Sequence, residues 1–177
     1  MTTEELKKIA PYASDESVKT YTSLLNKWMP YYSINTRLRQ AAFLAQVIHE
    51  TGSFRYMEEI ATGSEYDTGK MAVRLGNTPE RDGDGERYKG KGGLQITGKD
   101  NYEAVSKGLG VDFVSHPEKL KEPNYAIQSA CWWWWANGLN HLADKGDLKP
   151  VTKKVNGGYN GYLDRVMYYK RALKTLK

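Results

Sequence analysis

From Ala41 to Ile48 the chain is almost continuously apolar, and Leu38, Ala41, Ala42, Leu44, Ala45 and Ile48 recur every three to four residues. That spacing predicts an α-helix, and a helix that is apolar nearly all round is stable only when other elements wrap it. The chain must therefore build a shell of helices around a central one, which Asn35 or Thr36 is placed to cap.

The flanking sequence supplies that shell. Thr3-Glu4-Glu5-Leu6 opens a short helix that Pro11 stops, and Ser14-Asp15-Glu16-Ser17 precedes Val18, Tyr21, Leu24, Leu25 and Trp28 at helical spacing. Further helices are expected over 100–109, from Pro123 through Trp135, over 147–155, and from 160 to the C-terminus. Pro123 takes a favoured first-turn position. Between 51 and 98 the texture changes, because ten of the 17 glycines fall there. This segment predicts loops, one short helix over 71–75 and a small β-hairpin. The fold class is mainly α, with one domain over 1–177, since 177 residues are one domain's worth and no repeat or linker divides them.

No apolar run approaches the roughly 20 residues that cross a bilayer. The start, Met1-Thr2-Thr3-Glu4-Glu5-Leu6, does not read as a secretory signal, and Cys131, the single cysteine, forms neither an internal disulfide nor a cysteine zinc site. The net charge of +5 suits a polyanionic partner: nucleic acid, a headgroup layer or an anionic wall polymer.

Several motifs fail on inspection. His49-Glu50 lacks the second His that a zinc protease needs, since Ser53 stands there. Asp82-Gly83-Asp84-Gly85-Glu86 lacks the required Gly at its sixth position, which is Arg87, and reads as a solvated turn. Gly93 to Lys99 resembles a phosphate loop until Asp100 takes the place of its hydroxyl residue. Cys131 lies within Ser129-Ala130-Cys131-Trp132-Trp133-Trp134-Trp135 and reads as a small buried residue; some of the tryptophans must be core.

The carboxylates say more. Glu50 ends the apolar helix, where burial and the helix C-terminus both disfavour its ionised form, as a general acid requires. A surface glutamate at a fraying end is the alternative. Glu59 would sit roughly 13 Å away on one continuous helix, but Gly52-Ser53 breaks it and lets the chain fold back. Two carboxyls flanking a sugar bond are the equipment of glycoside hydrolysis.

These residues also carry a resemblance. Ala45 to Gly52 is similar to the catalytic-helix signature of glycoside hydrolase family 19, and Phe54 to Glu59 resembles the segment with its second carboxylate. Tyr88 to Tyr102 resembles the family's glycine-rich block, Ser129 to Asn140 its Trp-rich helix, and Asn156 to Gly161 with Leu163-Asp164-Arg165 its C-terminal signature. The resemblance implies a lysozyme-like, two-lobed helical fold and an inverting mechanism with no metal or other cofactor. Glu50 matches the general acid, Glu59 the general base and Thr97 the residue holding the water. Gln95, Asn101, Tyr88, Asn156 and His49 match positions lining the sugar subsites, and Arg165 matches a cleft arginine that orients or electrostatically tunes a catalytic carboxylate. Lys91 replaces the usual Arg, Gly93 stands where Pro is common, and Ile60-Ala61-Thr62-Gly63 departs from the family after Glu59, so Glu58 is the fallback base.

The expected activity is that of a phage- or prophage-type endolysin cutting the β-1,4 bonds of bacterial peptidoglycan. A chitinase, or an inactive wall- or nucleic-acid-binding module, is the alternative. The expected enzyme is a monomer with no nucleic-acid partner and no stable membrane insertion. It would accumulate in the host cytoplasm and reach the wall through a separate holin-type pore, without a wall-binding domain of its own.

Overall fold

Each early helix begins where the sequence supplies an oxygen for its unpaired amides. Helix α1 (Thr3–Ile9) opens on a capping box, in which Thr2 accepts from the Glu5 amide at 3.1 Å while Glu5 accepts from the Thr2 amide at 2.7 Å. Helix α2 (Asp15–Tyr31) is capped by Ser14, and the central helix α3 (Arg37–Glu50) by Thr36, the second of the two expected caps. The computed structural model describes residues 1–177, and its further helices are α4 (Gly69–Arg74), α5 (Asp84–Arg87), α6 (Lys99–Leu109), α7 (Pro123–Ala136), α8 (Leu139–Ala143), α9 (Leu148–Asn156) and α10 (Tyr162–Thr175).

Every side chain from Ala41 to Ile48 is buried, so α3 is the central helix that its composition demands, with α10 laid along it. The main core joins α1, α2, α3, α7, α8, α9 and α10. A second, smaller core of Tyr88, Ile96, Tyr102, Val105, Phe113 and Leu120 lies beneath α6 and the glycine-rich loops. Two cores of unequal size make two lobes. Trp134 is the buried member of the tryptophan run, with its ring edge-on to Phe43 and its N–H bonded to Asn140 Oδ1 at 2.9 Å. Trp132 lies on Gly108 of α6, where a Cβ would come within 2.2 Å of its ring. Cys131 is fully buried, and burial pushes its thiol well above the ordinary range.

The expected hairpin does not form. Lys91 makes isolated bridges to Glu58 and Ile96, and no strand extends from either. Positive φ at Gly92 and Gln95 turns the chain too tightly for a ladder to propagate. The stretch expected as a solvated turn contains the single helical turn α5, held by Asp67 Oδ1, which accepts from the Gly83 and Gly85 amides at 3.0 Å each. No helix is long and apolar enough to cross a membrane.

Candidate active site

The site is made by the way α3 stops. Thr51 Oγ1 donates back to the Val47 carbonyl at 2.7 Å and accepts from the Phe54 amide at 2.9 Å. Gly52, Ser53 and Phe54 then follow with φ of +54°, +64° and +64°. Two non-glycine residues in the left-handed region cost of order 1–3 kcal/mol each. Burial of Phe54, stacked on Tyr21 at 4.8 Å, offsets that cost. The chain reverses there and returns along the opposite wall of a cleft of about 550 Å³, lined by Glu50, Tyr56, Glu58, Glu59, Ile60, Ala61, Tyr66, Gln95, Thr97 and Asn156.

Glu50 forms one wall, and its carboxylate is paired. Arg165 Nη2 donates to Glu50 Oε1 at 2.6 Å, Nη1 donates to Gln46 Oε1 at 2.6 Å, and Nε donates to the Asn160 carbonyl at 3.2 Å. Gln46 and Glu50 are four residues apart on α3 and so share a face, which lets one guanidinium reach both. Arg165 is buried behind Glu50 and does not line the cleft, and Glu50 Oε2 makes no hydrogen bond within the protein.

Glu59 forms the other wall. Its amide donates to the Gly90 carbonyl at 2.8 Å, and the Gly90 amide donates to Glu59 Oε2 at 3.1 Å, so main chain and side chain are fixed together. The Tyr66 hydroxyl donates to Glu59 Oε1 at 3.0 Å. Burial, then the Glu59 hydrogen bond and charge, push the Tyr66 hydroxyl well above its ordinary range, so it remains a donor. A Cβ on Gly90 would lie 2.8 Å from Gln95 Oε1, 3.2 Å from Glu59 Oε2 and 3.3 Å from Thr97 Oγ1, which locates the point where these three groups converge.

Glu58 is held differently. Its carboxylate accepts from Lys121 Nζ at 2.9 Å, with Lys91 and Lys89 at 3.6 and 3.9 Å. Partial burial works to raise its pKa, but the Lys121 hydrogen bond and the charges of Lys91, Lys121 and Lys89 outweigh it and hold the carboxyl below its ordinary range. Lys91 is itself buried, which lowers its pKa against the opposing pull of Glu58.

Three other sequence candidates lie off the cleft. His49 Nδ1 pairs with Asp164 Oδ2 at 2.6 Å, and its ring covers Gly161. Tyr88 is buried in the small lobe, where its hydroxyl donates to the Val114 carbonyl at 3.3 Å. Asn101 donates to the Thr97 carbonyl at 2.7 Å and braces that loop. Tyr56, Ile60, Ala61 and Tyr66 are lining residues that sequence reasoning missed. No tryptophan lines the cleft.

A helical, two-lobed fold with a carboxylate on each wall of an open cleft defines the class, a glycoside hydrolase. Residues 31–158 match the family model described as chitinase class I. A "Glycosyl hydrolase family 19 domain-containing protein" of Haemophilus influenzae is 32% identical over 166 residues, covering 78% of this chain and 80% of that one. Endochitinase At2g43620 of Arabidopsis thaliana is 39% identical over 143 residues, covering 77% of this chain but 47% of the plant protein. The chain thus spans about half the length of that curated plant relative. Among solved structures, a bacterial family 19 chitinase superposes with a TM-score of 0.75 at 19% identity, covering 99% of this chain and 94% of that one. A class IV chitinase from Zea mays superposes with a TM-score of 0.71 at 25% identity, covering 97% and 90%. The chain belongs to glycoside hydrolase family 19.

Proposed function

We propose that this enzyme hydrolyses the β-1,4 bonds of bacterial peptidoglycan as an endolysin of phage or prophage type, with Glu50 as general acid and Glu59 as general base. The observation that carries the acid/base reading is the contrast between the two walls. On one wall Arg165 holds Glu50 Oε1 and leaves Oε2 open to the cleft. On the other, Tyr66 and the Gly90 amide fix Glu59 beside Thr97 and Gln95.

In this mechanism Glu50 gives its proton to the leaving glycosidic oxygen. Glu59 takes a proton from a water lodged near Gly90 and oriented by Thr97, and that water attacks the anomeric carbon from the opposite face. The configuration inverts, so a β-linked substrate yields an α-configured product. Arg165 and Tyr66 aim the two carboxylates, and such positioning carries much of the barrier reduction. Glu58 is the weaker candidate base, because three lysines already hold its carboxylate.

The net charge of +5 suits attachment of the protein surface to an anionic wall, an attraction that uncharged chitin does not offer. The enzyme would gather in the host cytoplasm and meet the wall after passing through a pore made by another protein. Chitin is the second reading, favoured by the plant relative, which is named an endochitinase. Mass spectrometry of fragments released from purified peptidoglycan, with chitin oligomers in parallel, tests both. New reducing ends on N-acetylmuramic acid support the first reading, and cleavage of chitin oligomers alone overturns it.

A further inference from the structure

The basic surplus is not in the cleft, whose charged lining is three glutamates. It is concentrated at the C-terminal end of the sequence. Residues 145–177 hold nine Lys and Arg against two Asp, a surplus of seven, so residues 1–144 carry a net charge of −2. Of the nine, only Arg165 is in an ion pair. Lys145, Lys149, Lys153, Lys154, Lys170, Lys174 and Lys177 are all exposed.

Helix-end electrostatics accounts for part of this. Lys153 and Lys154 in the last turn of α9, and Lys174 in that of α10, complement the negative ends of those helices. It does not account for Lys145, Lys149, Lys170 or Arg171. Where α1 meets the C-terminal half of α10, a groove of about 560 Å³ is lined by Glu5, Lys8, Arg171, Lys174, Thr175 and Lys177. Glu5 lends one oxygen to the α1 capping box and pairs with none of these cations. Arg171 Nη1 is buried and has no hydrogen-bond partner, and no acidic side chain pairs with its guanidinium. The groove has no apolar side chain in its lining. A bilayer anchor needs an apolar face, and a sugar platform needs an aromatic one. Unpaired ammonium and guanidinium groups around a wettable groove instead suit a hydrated oxyanion with many acceptor oxygens.

We propose that the α1–α10 groove and the basic surface around it bind a linear phosphodiester polymer of the cell envelope, at a site separate from the cleft. The envelope source of the polymer rests on the wall-directed reading above, while binding at this groove is measured apart from which glycan the cleft cuts.

The test is equilibrium binding of the full chain to poly(glycerol phosphate). Parallel arms use duplex DNA, vesicles of phosphatidylglycerol mixed with phosphatidylcholine, and an uncharged chitin oligomer. The expected result is binding to poly(glycerol phosphate) that weakens roughly tenfold or more between 50 and 200 mM salt. The triple variant Lys8→Gln, Lys170→Gln, Lys174→Gln should lose at least tenfold in that affinity. It should keep the wild-type melting temperature and the wild-type rate on whichever soluble glycan fragment the enzyme cuts. Unchanged affinity in the variant overturns the proposal. So does tenfold tighter binding to DNA or to vesicles than to poly(glycerol phosphate), since either would make the surface a nucleic-acid or membrane site.

Discussion

Arg165 binds Glu50 Oε1 and Gln46 Oε1 through separate nitrogens, both at 2.6 Å, so one guanidinium joins two turns of α3 at the edge of the cleft. Glu50→Gln keeps an acceptor for Nη2 and should fold, while glycosidase activity falls by about 10²–10⁴-fold, the usual worth of a general acid. Arg165→Ala leaves Gln46 and Glu50 without their donor and should destabilise the protein by about 3–5 kcal/mol. Arg165→Lys keeps the charge but not the fork, and should lose activity more than stability. Steady-state rates on a soluble glycan substrate and chemical denaturation measured side by side check this contrast. A wild-type rate in Glu50→Gln would sink the acid assignment.

The two adjacent glutamates of the opposite wall can be separated by substitution. Glu59→Gln should abolish turnover while leaving the Lys89, Lys91 and Lys121 cluster intact. Glu58→Gln should lower activity by less than tenfold, because its carboxylate is already spent on those lysines. Steady-state rates of both variants on one soluble glycan decide the matter, and a greater loss in Glu58→Gln reverses the assignment.

Tyr66 donates its hydroxyl to the Glu59 carboxylate, so it acts as a positioning residue. Tyr66→Phe removes one hydrogen bond to a carboxylate, worth about 1.5–3 kcal/mol. The expected outcome is a kcat lowered by roughly ten- to hundredfold, with KM and the melting temperature nearly unchanged. A purely structural tyrosine would instead lower stability.

The helices, the central position of α3 and the carboxylate at its end were legible because a 3.6-residue apolar period leaves few alternatives. The partner of Glu50 was half legible. Gln46 is the polar break in an apolar run and sits four residues before Glu50, a spacing that marks a shared face. Arg165, more than a hundred residues away, could be matched only through the family resemblance. Tyr66 was not legible at all, since it lies in a loop without period and is placed by long-range bonds. Asn77 Nδ2 holds the Tyr66 carbonyl at 2.9 Å, and Asp67 holds the α5 turn. His49 and Tyr88 failed as cleft residues for the same reason: a motif gives sequence neighbours, while side-chain direction depends on packing against Gly161 and Tyr102.

Glu58 gives the fold a definite acid response. Its carboxyl sits below the ordinary range in the folded state, so the unfolded chain binds the proton more tightly. The stabilisation is therefore present above the unfolded carboxylate value of about 4.3 and is lost as pH falls through the lower folded value. Because the side chain is partly exposed, the contribution is under about 1 kcal/mol. Glu58→Gln should melt below wild type at pH 7, and the two curves should converge once the pH falls below the lowered folded value. A gap that stays constant over this range would show that the lysine cluster contributes nothing through charge.

Gly90 tests whether the point of convergence between the walls matters chemically. Its φ is not positive, so an alanine there needs no unusual backbone. The new methyl would meet Gln95 Oε1, Glu59 Oε2 and Thr97 Oγ1, which are polar side-chain atoms facing the cleft. Gly90→Ala should therefore keep most of its stability, lowering the unfolding free energy by about 1 kcal/mol, because side-chain ends can yield. It should lose at least a hundredfold in kcat, since the methyl takes the volume that a water between Glu59 and Thr97 would occupy. Thr97→Ala should lose less, as it removes one bond to that water and leaves the volume open. If Gly90→Ala turns over like wild type, the water lies elsewhere and the assignment of Thr97 falls with it.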